Sequence, residues 1–327
     1  MRDLDRLPKA HLHVHLESTV RADTLAELAA AHGRPAPARP TAYADFTAFA
    51  AHNGLVRDCL RTPDDFHRIA VEYCADEAAQ GVGYAEVTFT AAAHGERLGG
   101  AESLLEAVLA GLAEGGARYG VDCRLILDHP RRRSVERATE TLRLAIRYAP
   151  AVVGIGLAGA EGYPVTPFAG VCAAARDAGL ALVHHAGETA GPDSVAEAVT
   201  VGLADRIGHG LSALDDPSSV ALLRERRVPL EVCPSSNVAL GIVPSWELHP
   251  LPRMRDAGLV VTLNADVPAC VGSTLTDEYA RARAVFGYGD DVLAALAHAS
   301  VDASFAAPEV AGRLHDGITD WLCEETP

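Results

Sequence analysis

Three short apolar stretches of the sequence carry imidazole or carboxylate side chains that could together bind a metal ion. His13 and His15 are two residues apart, so in a β-strand both imidazoles would lie on one face. His185 closes a second stretch and Asp266 closes a third. Three nitrogens and one oxygen form a ligand set suited to one Zn²⁺ per chain, with a water completing the coordination. Such an ion would make a nucleophilic hydroxide available at neutral pH.

Two further side chains could move protons in such a site. Glu188 comes three residues into the loop after the second stretch. As a carboxylic acid kept protonated by burial, it could protonate a ring nitrogen of the substrate. His209 is flanked by glycines, which would let the backbone approach whatever the imidazole faces. The predicted catalytic residues are Glu188, His209 and Asp266, the last two orienting the water and receiving its proton.

Each of these features also has an ordinary structural explanation. His13 and His15 could be core or polar histidines, and His185 could be part of a buried pair followed by a solvated glutamate. A histidine between glycines is often a turn residue, and Asp266 precedes a proline-containing loop. The coincidence of four such features at the ends of four predicted strands is what favours one shared site.

The elements that must position these residues alternate along the chain. Short apolar runs lie between alanine-rich segments of helical spacing, such as 24–32, 63–80 and 101–119, which predicts βα units and a parallel sheet. The predicted strands cover residues 10–16, 83–90, 121–128, 152–157, 181–185, 205–208, 228–233 and 259–266. Eight units predict a (β/α)₈ barrel, whose active face lies at the C-terminal strand ends. A doubly wound sheet would alternate similarly, but no G-x-G-x-x-G follows the first strand.

Composition narrows the class of protein. The chain has 327 residues and no Ser/Gly-rich linker, which predicts a single domain over residues 1–327. A net charge of -16 argues against nucleic acid and anionic membranes as partners and favours a small molecule. Seven scattered cysteines without a CxxC motif predict reduced thiols in a cytoplasmic protein. The chain start lacks the apolar region of a signal peptide, and no stretch approaches the ~20 apolar residues of a membrane span.

Taken in order, the motifs of the chain resemble those of the adenosine deaminase family. The strongest similarities are HVHLE at 13–17, HAGE at 185–188, GHG at 208–210 and NAD at 264–266. Further similarity runs through LPKA at 7–10, YAEV at 84–87, VGIGLAG at 153–159, EVCPSSN at 231–237 and HPLP at 249–252. The resemblance covers nearly the whole chain, and the combination of motifs is highly specific.

The resemblance implies a TIM barrel of the metal-dependent hydrolase type. The implied reaction replaces an exocyclic amine of a purine-like ring with oxygen and releases ammonia. Residues carried over by the resemblance are the zinc ligands His13, His15, His185 and Asp266, the proton donor Glu188, and His209 acting with Asp266 on the water. By the same resemblance, Gly159 contacts the purine edge and Glu17 lies near the ribose. The segment 46–66 would form a helical cover, although its apolar spacing equally fits a core-facing helix.

Four positions depart from the family's pattern. Val267 stands where a second aspartate usually bonds purine N7, and leaving a buried polar atom unpaired costs ~1–3 kcal/mol. Ser18 replaces a glycine, and His11 and Ala160 each replace a usually acidic residue. Changed pocket walls beside an unchanged ligand set predict the family's chemistry on a substrate other than plain adenosine. Alternatively, Val267 packs against the barrel wall and a water bridges to N7.

Three functions remain compatible with these residues. The leading one is a deaminase for an adenine-bearing or related amino-heterocycle, such as aminodeoxyfutalosine or a 7-deazapurine, whose C–H edge would suit Val267. The second is a zinc amidohydrolase that opens a cyclic amide or amidine, which ammonia release would distinguish. The third is a non-catalytic nucleoside-binding barrel, although Glu188 and His209 exceed what a structural zinc site requires.

Overall fold

Eight strands alternate with helices along the chain in this structure, a computed structural model that describes residues 1–40 and 42–324. The strands are β1 (Lys9–His15), β2 (Val82–Phe89), β3 (Asp122–Pro130), β4 (Val152–Ala158), β5 (Ala181–Ala186), β6 (Arg206–His209), β7 (Leu230–Val232) and β8 (Val261–Leu263). Each strand pairs in parallel with the next, from β1 through β8. This is the predicted (β/α)₈ barrel.

Helices connect the strands and cover the outside of the barrel. They are α1 (Ala22–Ala31), α2 (Phe46–Asp58), α3 (Pro63–Ala79), α4 (Ala91–Leu98), α5 (Ala101–Tyr119), α6 (Val135–Arg147), α7 (Ala169–Asp177), α8 (Pro192–Thr200), α9 (Pro217–Arg226), α10 (Pro234–Ala239), α11 (Leu251–Asp256), α12 (Pro268–Val271), α13 (Leu275–Phe286), α14 (Asp290–Ala303) and α15 (Pro308–Cys323). The three helical segments singled out in the sequence correspond to α1, α3 and α5.

The segment 46–66 is not one helix but two. A break after α2 is followed by a new start at Thr62, whose hydroxyl accepts a hydrogen bond from Asp65 N while Asp65 accepts one from Thr62 N. This reciprocal cap, with Pro63 in the first turn, begins α3 independently of α2. Phe46 and Phe49 of α2 lie over the cavity at the C-terminal strand ends, as a cover would.

The seam between β1 and β8 closes the barrel through a few specific bonds. His15 N donates to Asp266 O at 2.8 Å, and Asp266 N donates to His13 O at 2.9 Å. The side chain of Asn264 takes the place of a backbone acceptor at this seam, because its Oδ1 accepts hydrogen bonds from Leu12 N at 2.9 Å and from His13 N at 3.0 Å. Barrel closure therefore brings two histidines of β1 beside Asp266.

The last two strands are shorter than the sequence predicts. Three residues form each of β7 and β8, against the predicted 228–233 and 259–266. Residues 264–266 are buried like a strand, which explains the prediction. Asp266, however, has φ 59°, a left-handed conformation that ends regular pairing and turns its side chain into the site.

Two further observations bear on the composition of the chain. All seven cysteines are described, and each is a free thiol. Across residues 1–40 and 42–324, no helix has both the length and the apolar character needed to cross a membrane.

Candidate active site

The four predicted metal ligands meet at the C-terminal end of the barrel. His15 Nε2 lies 3.2 Å from His185 Nε2 and 3.5 Å from Asp266 Oδ1, and His13 Nε2 lies 3.5 Å from the same oxygen. A tetrahedral zinc ion with bonds of ~2.0–2.1 Å would hold its ligand atoms about 3.3 Å apart. The donor set and these three distances are compatible with such an ion.

The imidazole of His13 is oriented so that one nitrogen remains available. Its Nδ1 lies 2.7 Å from Glu231 Oε2, and an ionised carboxylate can only accept, so Nδ1 carries the proton. The other nitrogen, Nε2, is buried and has no hydrogen-bond partner in the described part of the chain. Glu231 is held in turn by Arg206 Nε at 2.5 Å, and Arg206 also pairs with the buried Glu86. A carboxylate behind a histidine in this way is typical of metal ligands.

Two other ligand candidates have polar neighbours of their own. Asp266 Oδ2 accepts from Ser236 Oγ at 2.6 Å. Burial opposes ionisation of Asp266, but His13 holds the pKa of that carboxyl well below its usual range. Behind His15, Asp128 Oδ2 lies 3.5 Å from Nδ1, and burial raises the pKa of Asp128 to about 6. Asp128 is not among the predicted site residues, although an acidic residue near the end of an apolar strand is a signal that could have identified it.

The backbone departs from common conformations where it carries the catalytic candidates. His209 has φ 67° and Asp266 has φ 59°, left-handed values that cost of order 1–3 kcal/mol in residues other than glycine and that cluster at functional sites. Beside His209, a Cβ on Gly208 would lie 2.7 Å from His13 Cε1. The close approach expected of these glycines therefore makes room for the His13 ring.

The two candidate proton carriers face each other across the site. Glu188 Oε1 lies 3.7 Å from His209 Nε2. Burial raises the pKa of Glu188 well above its ordinary value, and the carboxylates of Asp266 and Glu161 add to the rise. Burial lowers the pKa of His209 to about 4. The environment thus favours a protonated carboxyl group and a neutral imidazole.

A chain of hydrogen bonds determines which nitrogen of His209 carries its proton. Leu251 N donates to His249 Nδ1 at 3.1 Å, so His249 Nε2 carries the proton and donates to Asn237 Oδ1 at 3.2 Å. This fixes the amide of Asn237, whose Nδ2 donates to His209 Nδ1 at 3.2 Å. His209 therefore has its N–H at Nε2, directed towards Glu188. The sequence suggested this role for neither Asn237 nor His249.

The loop that carries Glu188 is held by one buried carboxylate. Glu161 accepts from Gly187 N at 2.6 Å, from the backbone N of Glu188 and of Thr189 at 2.8 Å each, and from Ser194 Oγ at 2.6 Å. Gly187 has φ 70°, and a Cβ there would lie 2.5 Å from a methyl group of Val195. Glu161 was also missed in the sequence, where nothing distinguishes it from a surface glutamate.

A cavity of about 340 Å³, here called the catalytic cavity, opens onto these groups. The three predicted substrate-contacting residues, Glu17, Gly159 and Val267, all line it. Burial opposes ionisation of Glu17, but its 2.7 Å hydrogen bond with His94 Nε2 keeps its pKa at about 2. Val267 is 1% exposed and packs in an apolar cluster with Phe49, Leu240 and Cys270, among others.

The remaining departures from the family pattern occupy different surroundings. Ala160 lines the catalytic cavity, whereas Ser18 is buried with its hydroxyl 3.3 Å from Asn53 Oδ1. The interpretation of His11 as a changed pocket wall is wrong. Its Nε2 accepts from Ala265 N at 3.1 Å and its Nδ1 lies 2.9 Å from Glu77 Oε2, so it joins β1 to the segment after β8.

Comparison with known proteins places these features in a family context. The sequence profile described as adenosine deaminase matches residues 8–321. An aminodeoxyfutalosine deaminase of Streptomyces avermitilis is 39% identical over 91% of this chain and 87% of its own length. The structure of an adenine deaminase from Arthrobacter aurescens is similar with a TM-score of 0.91 and 32% identity, covering 96% of this chain and 99% of that one. A Burkholderia ambifaria amidohydrolase with bound Zn has a TM-score of 0.86 and 25% identity over 97% and 91% of the two chains.

Proposed function

We propose that this chain, which belongs to the adenosine deaminase family of hydrolases that release ammonia from an amino-heterocycle, is a zinc-dependent deaminase. Its proposed substrate contains an adenine or a related ring and is not plain adenosine. One observation carries the proposal: His15, His185 and Asp266 line the same cavity as the buried Glu188, whose pKa is raised well above its ordinary value. His13 Nε2 lies 3.5 Å from Asp266 Oδ1 beside them. A structural metal site would have no need of Glu188 as an acid.

Zinc would be held by His13, His15, His185 and Asp266. The buried His13 Nε2, which lacks a partner among the described residues, supports this assignment, as does the zinc bound in the similar Burkholderia amidohydrolase. When bound, zinc supplies Lewis-acid activation of water at neutral pH. Everything else in the reaction falls to side chains of the chain itself.

Glu188 has the protonation state and burial of a general acid. In hydrolytic deamination, water adds to the ring carbon that carries the amine while the adjacent ring nitrogen receives a proton, which Glu188 would donate. His209 presents its Nε2–H as a donor and would orient the attacking water. Asp266, kept ionised, would accept the proton that this water loses. Asp266 would then give that proton to the exocyclic amine, which leaves as ammonia. The hydroxyl proton would return to Glu188 as the carbonyl forms, so both carboxyl groups regain their starting states.

Val267 is the residue that would remove the usual preference for a purine ring such as that of adenosine. It offers no hydrogen-bond donor to purine N7, and its neighbours in the apolar cluster offer a carbon surface. A ring with a C–H edge at that position would lose nothing there, and a purine would leave N7 unpaired. Adenine and aminodeoxyfutalosine, the substrates named for two relatives, keep the N7 of adenosine, so positions other than Val267 would have to distinguish them from it.

A substrate panel tests this specificity. Zinc-loaded protein is given adenine, adenosine, aminodeoxyfutalosine and 7-deazaadenosine while ammonia and the ultraviolet shift are followed. Because Val267 leaves purine N7 unpaired, kcat/KM for 7-deazaadenosine should exceed that for adenosine by about fivefold or more, as expected for an unpaired buried acceptor that costs ~1–3 kcal/mol. Adenosine preferred over every other compound by a wide margin would overturn the specificity. A product formed without ammonia would indicate ring opening instead.

The variant Val267→Asn tests whether purine N7 faces this position, because it places an amide donor there. Under the proposal, the variant should prefer adenosine over 7-deazaadenosine, whereas the wild type should not. An unchanged ratio would mean that the N7 edge does not face Val267.

The free thiols support a cytoplasmic location. The family match over residues 8–321 supports a single domain over residues 1–327 that acts on a small molecule.

A further inference from the structure

A second cavity, of about 550 Å³, adjoins the catalytic cavity and is rich in arginine. We call it the arginine cavity; its basic residues are Arg57, Arg97, Arg132, Arg133 and Arg137. The acidic residues on its wall are Asp58 and Glu96. Five guanidinium groups thus face two carboxylates, in a chain whose net charge is -16. Since like charges repel, such a concentration in an acidic protein indicates an anionic ligand.

Several of these guanidinium groups are incompletely paired. The side chain of Arg137 is 10% exposed; its Nη1 lies 2.9 Å from Glu96 Oε2, but none of its nitrogens makes a well-aligned hydrogen bond with a described residue. Arg97 donates from Nη2 to Leu60 O, while its buried Nη1 has no such bond. A buried guanidinium needs acceptors, and phosphate or carboxylate oxygens suit its fork of donors.

The two cavities share part of their walls. Arg57, Pro130 and Arg132 line both of them. A buried histidine also connects them: Arg97 Nη2 donates to His94 Nδ1 at 3.0 Å, so His94 donates from Nε2 to Glu17 Oε1 at 2.7 Å. A ligand whose ring occupies the catalytic cavity could therefore extend past Glu17 into the arginine cavity.

We propose that the arginine cavity binds an anionic group, a phosphate or a carboxylate, that the substrate carries at a distance from its amino-heterocycle. This inference rests on the proposed deaminase function and narrows its substrate class to anionic nucleoside-like compounds. Arg57 and Arg132 contact the anion at the junction of the two cavities, and Arg97 and Arg137 lie deeper in the arginine cavity.

The test compares substrates that differ in charge but little in shape. For the carboxylate arm, kcat/KM is measured for adenosine 5′-carboxylate against the neutral adenosine 5′-carboxamide, and for the phosphate arm 5′-AMP is compared with adenosine. The anionic member of at least one pair should be favoured about tenfold or more, and the preference should shrink as salt screens the charges. The arm that shows the preference identifies the anion.

Variants then connect that preference to the cavity. Arg57→Gln and Arg132→Gln each remove one charged donor and should lower the anionic-to-neutral ratio by about ten- to one-hundred-fold, chiefly through KM. Arg253→Gln, which changes an exposed arginine of α11, is the matched control and should leave the ratio unchanged. A wild type without preference in either pair, or a ratio unaffected by both variants, would overturn the proposal.

A binding measurement separates failure of this inference from failure of the proposed function. Calorimetry with 5′-IMP and inosine on the Glu188→Gln protein needs no turnover. Tighter binding of 5′-IMP, lost in the Arg57→Gln background, would support the anion site even if no compound released ammonia. Equal binding of 5′-IMP and inosine, together with ammonia release from uncharged substrates, would support the proposed deaminase function and contradict the anion site.

Discussion

The side chains that define the candidate chemistry depend on partners that no motif reveals. His209 has its proton at Nε2 because of three successive hydrogen bonds that start at Leu251 N and pass through His249 and Asn237. A different tautomer would present a lone pair to the water in place of a donor. His249 is therefore a positioning residue for the site.

Replacing His249 should slow catalysis without removing the metal. In His249→Phe, Asn237 loses the donor that fixes its amide and His209 loses its single tautomer. We expect kcat to fall about 10- to 100-fold, a loss typical of removing a side chain that orients a functional histidine through hydrogen bonds, with KM and zinc content nearly unchanged. His249→Gln, which can still donate to Asn237, should recover part of the loss. Equal kcat values for both variants and wild type would show that the tautomer is immaterial.

Glu161 should control the pH range of activity. Its carboxylate raises the pKa of Glu188, so Glu161→Gln should lower that pKa. The glutamine oxygen can still accept from the backbone N–H groups of Glu188 and Thr189, while its NH₂ group replaces the other accepting oxygen. The general acid works only when protonated, and its protonated fraction falls as pH rises through its pKa. The alkaline limb of the kcat/KM profile should therefore move to lower pH in the variant. An alkaline limb that stays in place or moves upward would contradict this assignment.

Some of the site residues can be predicted from the sequence, and others cannot. His13, His15, His185 and Asp266 were predicted as a group because strand ends in a parallel barrel share one edge. Glu161, Asn237 and His249 could not be assigned, because their roles come from distances between residues far apart in the chain.

At the scale of elements, α2 is the part of the site with the least support from the core. Of its thirteen residues, only Phe49 and Val56 are buried, yet its Phe46, Asn53 and Arg57 line the catalytic cavity. Segments with few buried apolar side chains open most readily. The sequence predicted a cover in this region but not its end, since the reciprocal cap at Thr62 separates it from α3.

Hydrogen exchange should distinguish α2 from the strands beneath it. Amides of α2 should exchange at least about tenfold faster than those of β1 to β3, because local opening exposes little apolar surface. Binding of a nucleoside that contacts Phe46 and Phe49 should slow α2 selectively. Protection in α2 equal to that of β1, with or without ligand, would mean that the helix is part of the rigid barrel.

The positions of the strands could be predicted from local sequence patterns, but the lengths of the last two could not. All eight were found near their predicted positions because apolar runs bounded by helices are a local signal. β7 and β8 are shorter than predicted. Beyond β8 the chain meets β1 through backbone bonds of Asp266 to His13 and His15, a contact across the seam that a local pattern does not contain.

At the scale of the whole molecule, the proposed metal would connect distant parts of the barrel. Its ligands come from β1, β5 and the segment after β8, so binding would tie the seam to the opposite side. The seam itself is made by a bridge and by Asn264, a closure that alternation of elements alone does not predict.

Zinc should therefore stabilise the folded chain. Free zinc at one hundred times its Kd would contribute ~2.7 kcal/mol, which should raise the Tm by several degrees over chelated protein. Glu231→Gln, which weakens the partner of His13, should reduce zinc affinity about 10- to 100-fold and diminish the shift. Arg253→Gln serves as the control. A Tm that is the same with zinc and with chelator would argue against a zinc site that forms with the fold.

Ammonia release by zinc-loaded wild type and by Glu188→Gln tests the proposed deamination, with zinc content measured in both proteins and with a substrate that the wild type turns over. The wild type should release one ammonia per product, and kcat of the variant should be about 10²- to 10⁴-fold lower, since only the proton donor is removed. Zinc content should be equal in the two proteins. Product without ammonia, or a fully active Glu188→Gln enzyme, would contradict a deamination in which Glu188 donates the proton.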